Sequence, residues 1–302
     1  MGAQHRDISS TRVDNSVNRE LFIMLLHSNA SPHLNRSHLA SSDSTSGNRG
    51  TLRLIPTPHP PHDEEPRNGL LDRNCVLQRG DYSIRVTDPT ERRNEVGALI
   101  KRMYSWRGYD IGNTSMSTQN NTTLEALSGQ DLVGTLTLRL DSEDGLLADE
   151  LYEEKVSAFR TSDRKICELS KLAIDPEFSS KELLASLFNL AYIYARLIQK
   201  ATDFFIEVNP RHAAYYKRML GFRQLGEMRN CQRVNAPAVL LHLELAYVDA
   251  QVSSLAGSCS REKSLYTYFL PRHEEKQIAN RICHLNQSSS LNWARQLNGK
   301  AY

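Results

Sequence analysis

The spacing of apolar and polar positions predicts that the globular part of the chain begins near residue 81. "DYSIRVT" (81–87) alternates as a half-buried strand does. Segment 89–109 has apolar positions at helical spacing after an early proline, and 122–141 contains two strand-like runs around Ser128-Gly129-Gln130. The pattern predicts a strand, a helix and a β-hairpin, followed by a polar helix near 146–158.

The next segments alternate between a short strand and a long helix. "KICELSKLAIDP" (165–176) predicts a strand that Asp-Pro stops. The helix predicted for 179–201 is mostly apolar, and Ser179 and Glu182 suit a capping box at its start.

The same order repeats once more before the chain closes with strands. "DFFIEV" (203–208) predicts a short buried strand, a helix over 211–220 follows it, and 223–245 contains two strands around Asn235-Ala236-Pro237. Strand–helix–strand–helix order is typical of parallel central strands with crossover helices, here flanked by antiparallel hairpins. The predicted fold class is therefore α/β (α+β), with a mixed central sheet flanked by helices.

Composition separates both ends of the chain from this central part. Residues 1–75 contain six of the ten histidines and six of the eleven prolines, but one aromatic residue, Phe22. Such a segment buries too little apolar surface to offset the entropy of ordering it, so we expect it to be disordered. The domain is predicted at 80–248, and 249–302 is predicted to be an extension with a docking helix near 271–285.

Charge and cysteine content exclude several classes of protein. The 302 residues carry 37 Lys and Arg against 35 Asp and Glu, and a net charge of +2 gives no support for non-specific nucleic-acid binding. Five cysteines lie far apart without metal-ligand spacing, so we expect no metal site and a reducing cytoplasm. The apolar run "LFIMLL" at 21–26 is much shorter than the ~18 residues that a membrane span needs, so no integral membrane span is predicted.

Glu168 is the most informative residue of the strand "ICELSKLAI". Alternation places Glu168 and Ser170 on one face, and Cys167, Leu169 and Lys171 on the other. A carboxylate in an apolar strand is costly to bury without a partner. It is either half of an ion pair or a general base whose pKa is raised by burial. Glu207, beside the end of the next strand, has the same two interpretations.

The helix after that strand carries a stripe of aromatic and basic side chains. His212, Tyr215, Tyr216 and Met219 recur at helical spacing on one side. Such a stripe is most often core packing. The alternative is the wall of a site that must donate a proton, because buried tyrosine hydroxyls and imidazoles need polar partners.

These segments together resemble a known superfamily. "ELSKLAID", a long helix, "FFIEVN" and a helix with a tyrosine and a terminal "GF" are similar to the GNAT N-acyltransferases. The resemblance implies central strands that splay apart to admit an acyl-pantetheine, and a tyrosine that protonates the leaving thiolate. In that superfamily a glycine-rich loop before the long helix cradles the pyrophosphate of coenzyme A. Here the loop reads "PEFSSKELL", and no glycine occurs between Gly145 and Gly221.

A narrower resemblance, over roughly residues 80 to 285, fits the loop without glycine. "IEVNPRHAAYYKRMLGF", "CQRVNAPAVLLHLEL" and "SLYTYFLPRHEEKQIA" resemble the bacterial N-acyl amino acid synthases. That family implies transfer of a fatty acyl group from acyl carrier protein to the α-amine of an amino acid, without a tightly bound cofactor. The acyl-phosphopantetheine of the carrier is then the donor, with a coenzyme A thioester as the alternative.

The resemblance also implies roles for individual residues. Glu168 is expected to be the base, and the acid is one of Tyr216, Tyr215 and His212. The candidates for binding the substrate are Ser170, Lys171, Asn209, Arg211 and Asn235. The basic residues Lys181, Lys217 and Arg218 have two interpretations: contact with the acidic carrier protein, or an ordinary solvated helix face.

Two other functions fit the same sequence. One is a coenzyme A-dependent GNAT acetyltransferase acting on a small amine or a protein, which the loop without glycine disfavours. The other is a non-enzymatic, degenerate GNAT domain that acts as a ligand sensor or scaffold.

Overall fold

A computed structural model describes residues 74–87, 93–106, 120–258 and 263–298. The predicted disordered region and the apolar run at 21–26 lie outside these residues, except that Cys75 already belongs to a strand. All of the described residues belong to one compact unit.

The described residues form nine strands. They are β1 (Cys75–Arg79), β2 (Tyr82–Thr87), β3 (Asn121–Ser128), β4 (Asp131–Leu140), β5 (Ile166–Ile174), β6 (Asp203–Val208), β7 (Arg223–Gln224), β8 (Arg229–Cys231) and β9 (Ala236–Glu244). Neither β1 nor the short β7 was predicted from the sequence. The predicted hairpin is confirmed: β3 and β4 pair antiparallel, and Gly129 takes a φ of 59° at the turn between them.

Six α-helices accompany the strands in the described residues. They are α1 (Arg93–Ser105), α2 (Asp149–Ser157), α3 (Lys181–Tyr192), α4 (Pro210–Leu220), α5 (Leu245–Leu255) and α6 (Arg272–Asn298). A π-helical segment, Ile193–Ile198, continues α3, and a short 3₁₀ helix covers Leu265–Tyr268. No helix of the described residues is long and apolar enough to cross a membrane.

The sheet is mixed, as the sequence predicts. Its strand order is β1-β2-β3-β4-β5-β6-β9-β7, and β8 pairs with β9 beside it. β5 and β6 are parallel, and the other pairs are antiparallel. The α/β class with central parallel strands flanked by antiparallel ones is confirmed.

The two faces of the sheet differ in chemistry. One, the apolar face, buries side chains such as Leu136, Leu169 and Ile206 against α3 and α4 in the main hydrophobic core. The other, the polar face, carries a ladder of buried polar side chains: Thr87, Thr123, Glu125, Thr135, Thr137, Arg139, Glu168, Ser170 and Glu207. Strand alternation requires that every second residue point to the same face, so the register places all of these on one side.

Three details of the helices differ from the prediction. The residue that caps α3 is Ser180, whose hydroxyl accepts the N–H of Leu183 at 3.0 Å, and not Ser179. The predicted boundary between 248 and 249 falls inside α5. Helix α6 runs to Asn298, past the predicted end at 285, because no proline or glycine interrupts the sequence before Gly299.

Candidate active site at the separation of two strands

The parallel strands β5 and β6 are hydrogen-bonded over a short stretch and then separate. Their register pairs Ile166 with Asp203 and ends at Glu168 and Phe205. β5 continues to Ile174 and β6 to Val208 without further pairing between them. Glu168 therefore lies at the apex of a V-shaped opening in the sheet.

Glu168 is a buried carboxylate with a strongly shifted proton affinity. Its side chain is 1% exposed, and its Oε2 accepts the N–H of Leu147 at 2.6 Å. Burial raises the pKa of Glu168 to about 7, although the charge of Arg233 and the amides of Leu147 and Ala148 act in the opposite direction. Near neutral pH this carboxyl group can both hold and release a proton, which general base catalysis requires.

A second buried carboxylate, Glu207, lies on the same face. Burial raises its pKa to about 8, and the negative charge of Glu168 adds to the shift. The guanidinium of Arg233 bonds to Oε2 of Glu207, to Glu150 at 2.5 Å and to the carbonyl of Leu147 at 2.7 Å. Arg233 thus holds the loop residue whose amide bonds to Glu168, and it partly neutralises both carboxylates.

Sequence reasoning missed Arg233 and Arg139. Arg139 is 8% exposed, lies opposite Glu168 in the β4–β5 register and donates from Nε to the carbonyl of Gly145 at 2.9 Å. The sequence signal for Arg139 was an arginine inside the alternating run "TLTLRLD". For Arg233 it was an arginine beside the apolar run in "RVNAPAVLL". Neither pattern says which distant residue the guanidinium meets.

A β-bulge in β5 moves Lys171 to the side of Glu168. Ser170 and Ala173 are three residues apart on β5, whereas their partners on β4 are two residues apart. Lys171 lies within this bulge and adopts a φ of 53°. Strict alternation predicted that Lys171 faces away from Glu168, and that prediction is wrong. Burial and the nearby charge of Arg139 lower the pKa of Lys171, whereas Glu168 raises it, so all three charges share one region.

Ser170 also lies beside Glu168 on the polar face. It is 2% exposed, and its hydroxyl has no hydrogen-bond partner within the described part of the chain. The structure thus brings the predicted residues Glu168, Ser170 and Lys171 together.

Helix α4 presents its three candidate acids in different environments. Its buried side consists of Ala213, Tyr216, Met219 and Leu220. Tyr216 is 4% exposed, and burial raises the pKa of its phenol well above the usual range, with the neighbouring Tyr215 and Tyr104 adding to the shift. The phenol therefore stays protonated at neutral pH and is able to donate a proton.

Tyr215 and His212 lie at the margin of that buried side. Tyr215 is half-buried, burial raises the pKa of its phenol, and its hydroxyl has no hydrogen-bond partner among the described residues. His212 is half-buried too, and its Nε2 accepts the Nε–H of the exposed Arg211 at 2.9 Å. Tyr216 therefore packs in the core, whereas Tyr215 and His212 lie at its edge, so the predicted stripe is not one buried surface.

The structure separates the two predicted asparagines. Asn209 is 4% exposed and caps α4, with Oδ1 accepting the N–H of Arg211 at 3.2 Å, while its Nδ2 lacks a partner among the described residues. Asn235 is exposed at the turn between β8 and β9, with a φ of 50°. Asn235 therefore supports the turn. The buried Glu207 is contacted instead by Arg233, two positions earlier.

A cleft of 630 Å³ opens at the N-terminal end of α3. Its lining contains three carboxylates, Asp81, Glu177 and Glu182, and one guanidinium, Arg79, which lies 3.9 Å from Glu182. Phe178 is exposed at this cleft. The predicted carrier-contact residues Lys181, Lys217 and Arg218 are exposed, the first on α3 and the other two on α4.

Comparisons with known proteins agree with this geometry. Residues 95–244 match the family model of the N-acyl amino acid synthase FeeM. The chain is similar to the solved structure of FeeM from uncultured soil microbes, with 27% sequence identity and a TM-score of 0.51, over 55% of this chain and 90% of that one. No curated protein matches the sequence.

Two further solved structures show a more distant likeness. The ribosomal-protein-S5-alanine acetyltransferase from Vibrio fischeri is 11% identical, with a TM-score of 0.41 over 56% of this chain and 95% of that one. The AHL synthase LasI is 13% identical, with a TM-score of 0.41 over 54% of this chain and 89% of that one.

The separating parallel strands and the buried carboxylate between them define an acyltransferase of the GNAT type. The matched segment extends from α1 to the end of β9, so it contains both separating strands and the helices that follow them. The chain belongs to the N-acyl amino acid synthase family of these enzymes.

Proposed function

We propose that the protein transfers a fatty acyl group from the phosphopantetheine thioester of acyl carrier protein to the α-amine of an amino acid. The observation that carries the proposal is the position and chemistry of Glu168: a carboxyl group with a pKa of about 7 at the apex of the opening between β5 and β6. FeeM, to which the chain is similar, is described as an N-acyl amino acid synthase, which supports an amino acid as the acceptor.

The reaction begins with the acceptor. A free amino acid is mostly an ammonium ion at neutral pH and cannot attack a thioester. Glu168, directly or through a water, accepts a proton from this ammonium, and the resulting amine attacks the thioester carbonyl. Lys171 and Arg139 are cationic and lie near Glu168, so they suit the α-carboxylate of the same amino acid.

The second half of the reaction expels the thiol. Backbone amides at the strand separation, with Nδ2 of Asn209 as a further donor, stabilise the oxyanion of the tetrahedral intermediate. When the intermediate collapses, the C–N bond is kept, the C–S bond breaks and the thiolate takes a proton, while the former amine nitrogen releases its second proton to solvent and becomes the amide N–H. Tyr216, protonated because it is buried, supplies that proton, and Tyr215 and His212 are the less buried alternatives.

Charges at the start of α3 favour a carrier protein over coenzyme A as the donor. Coenzyme A carries a pyrophosphate and a further phosphate, whereas carrier-bound phosphopantetheine has one phosphodiester. Three carboxylates line the cleft at this helix terminus, and Ser180 already occupies the N–H of Leu183. Both features weaken the attraction of a helix N-terminus for a polyanion.

The exposed bases suit the surface of an acidic carrier protein. Charge reversal of Lys217 and Arg218 together is expected to weaken carrier-protein affinity about tenfold, and less so at high salt. Lys200→Glu is the matched control, since Lys200 is an exposed lysine that follows the C-terminal end of the α3 segment. Equal affinity of the double variant and the control would remove this surface from the proposal.

The donor and the acceptor are tested with purified components. The enzyme is incubated with amino acids and, in parallel, with a long-chain acyl carrier protein, the matching acyl-coenzyme A and acetyl-coenzyme A, and products are identified by mass spectrometry. We expect N-acyl amino acids, with kcat/KM for the carrier-protein donor about tenfold or more above that for the coenzyme A thioester. Acetyl-coenzyme A turnover without use of the carrier-protein donor would overturn the proposal. A reducing cytoplasmic location, which this donor requires, stays a prediction from the sequence.

A further inference from the structure

The acceptor has to lose two protons, and the proposed reaction gives only one of them to a protein group. An α-ammonium group carries three hydrogens, whereas the amide product keeps one. Glu168 takes the first of the two protons before the attack. The second leaves the nitrogen after the C–N bond has formed, and in a buried site a protein group has to accept it on its way to solvent.

Glu207 is a buried carboxylate to which the proposed reaction gives no role. It is 1% exposed and lies on the polar face of β6, two residues beyond Phe205, where the pairing with β5 ends. Phe205 is the partner of Glu168 in the register, so Glu207 lies about 7 Å further along the opening than the base. The negative charge of Glu168 acts on Glu207, so the two carboxylates border the same space between the separated strands.

The hydrogen bonding of Glu207 leaves one of its oxygens available. Oε2 is bonded to the guanidinium of Arg233, whereas Oε1 has no hydrogen-bond partner in the part of the chain that the structure describes. Buried polar atoms are rarely left unpaired in folded proteins, so we expect Oε1 to meet a donor during the reaction. Arg233 also donates to the carbonyl of Leu147 at 2.7 Å, and the N–H of Leu147 donates to Glu168 at 2.6 Å. One guanidinium thus connects the two carboxylates.

We propose that Glu207 is a second catalytic base, whose Oε1 accepts the second proton of the acceptor's nitrogen after the attack on the thioester. The inference rests on the proposed function. The C–N bond forms first, the positively charged nitrogen then transfers a proton to Oε1, and the C–S bond breaks as Tyr216 protonates the thiolate. The two carboxyl groups then hold two protons. By way of solvent, one of these restores Tyr216 and the other is released, so each turnover sets one proton free.

The proton affinities of the two carboxyl groups suit two bases in one turnover. Burial raises the pKa of Glu168 to about 7 and that of Glu207 to about 8, so each group can both lose and hold a proton near neutral pH. The charge of Arg233 acts against both shifts and therefore favours the state in which both carboxylates are ionised.

Five other ionisable groups in the described residues act on this pair. They are Glu150 and Tyr152 on α2, Cys231 on β8, Arg139 on β4 and Lys171 on β5. Burial raises the pKa of Tyr152 and of Cys231, so both stay neutral below pH 8. Lys171 loses its charge as pH rises, which weakens its hold on the acceptor's carboxylate and lowers the rate. Glu150 is an exposed carboxylate that bonds to Arg233, so it needs a control of its own.

The pH dependence of the chemical step tests the second base. Single-turnover rates of acyl transfer are measured with enzyme in excess of long-chain acyl carrier protein and a saturating, equimolar mixture of the standard amino acids. Total N-acyl product is quantified by mass spectrometry. Two bases that must both be ionised give a rate that rises about a hundredfold per pH unit below about pH 6.5, whereas one base gives about tenfold. We expect the hundredfold rise for the wild type.

Variants assign the second ionisation to Glu207. The rate of Glu207→Gln should rise about tenfold per pH unit, whereas Glu207→Asp, which keeps a carboxylate, should show the hundredfold rise even where its rate is lower. Glu150→Gln is the matched control, since Glu150 bonds to the same guanidinium at 2.5 Å, and it should behave as the wild type. If Glu207→Gln does not fold, the paired change Arg233→Met with Glu207→Gln replaces it, because it leaves no unpaired guanidinium in the core. It should also give the tenfold rise.

The outcomes separate this inference from the proposed function. A tenfold rise in the wild type, or a hundredfold rise in Glu207→Gln, overturns the second base and leaves the acyl transfer intact. A tenfold rise in Glu207→Asp or in Glu150→Gln means that Glu207 acts only through the structure of the Arg233 network, and it overturns the second base as well. If the wild type acylates no amino acid at any pH, the proposed function and the second base are both overturned.

Discussion

Two buried carboxylates in this fold are equally shielded from solvent but differ in their hydrogen bonding. Glu275 on α6 is 0% exposed; its Oε1 accepts Nδ2 of Asn189 at 2.8 Å and its Oε2 accepts Nη1 of Arg272 at 3.0 Å. Glu207 is 1% exposed, and of its two oxygens only Oε2 has a hydrogen-bond partner in the described residues.

Hydrogen-bond pairing, and not burial, separates a structural buried carboxylate from a functional one. Burial raises the pKa of both carboxyl groups, so the shift alone does not distinguish them. A fully paired network, such as the one at Glu275 that joins α6 to α3, stabilises one arrangement of the fold. The polar face keeps unpaired oxygens next to a base, which is the condition of a site that awaits a ligand.

Removing the base should give the largest effect. Glu168→Gln keeps the size of the side chain but cannot accept the proton, so we expect turnover to fall roughly 10²- to 10⁴-fold in steady-state acyl transfer. Chemical denaturation serves as the control and should show a folded protein. Turnover within tenfold of wild type would mean that Glu168 is a structural carboxylate like Glu275.

Breaking the paired network should affect stability instead. Glu275→Ala leaves Nδ2 of Asn189 without its partner and removes one hydrogen bond of Arg272, which keeps its bonds to Tyr192 and Asp249. The free energy of unfolding should therefore fall by about 2 kcal/mol in urea titrations, with kcat of the folded enzyme unchanged. Gln277→Ala, an exposed position on the same helix, should change it by less than about 0.5 kcal/mol. A loss of kcat in Glu275→Ala without loss of stability would contradict the assigned role.

The proposed acid gives a smaller effect that depends on the donor. Tyr216→Phe should lower turnover by about tenfold to a hundredfold, because the thiolate then leaves without a proton. A thioester whose thiol is more acidic needs no such help, so it should restore most of the rate. Tyr215→Phe is the control, and an equal loss with both donors would exclude Tyr216 as the acid.

The pH dependence should distinguish Glu168 by its sign. Its pKa is raised from 4.5 to about 7, so kcat should rise with pH through about 7 as the base loses its proton. The stability that the protonated form contributes is fully present below pH 4.5 and is lost as pH rises through about 7. The unfolding free energy of wild type relative to Glu168→Gln should therefore fall over this range, and a flat difference would show that burial does not shift this group.

The sequence predicted the elements that carry the site, because local patterns determine them. Alternation predicted β5, a short apolar run predicted β6, and helical spacing predicted α3 and α4. Glu168 was recognised as an isolated carboxylate in an apolar strand. The splayed strands came from the resemblance to a family and not from the pattern.

Contacts between distant residues could not be predicted in the same way. Arg233 meets the loop at Leu147, 86 positions away, and no local pattern records that contact. The bulge that turns Lys171 toward Glu168 shifts the register by one residue, and strict alternation carries no sign of it. The turn that exposes Asn235 depends on the pairing of β8 with β9, which no local pattern records.

If the polar face around Glu168 carries the synthesis of N-acyl amino acids, that synthesis must depend on the Glu168 carboxylate. Wild type and Glu168→Gln are expressed in a bacterium at equal protein levels, and N-acyl amino acids are measured in organic extracts by mass spectrometry. We expect these products with the wild type and their loss with the variant. Equal amounts from both proteins, or none from the wild type, would contradict it.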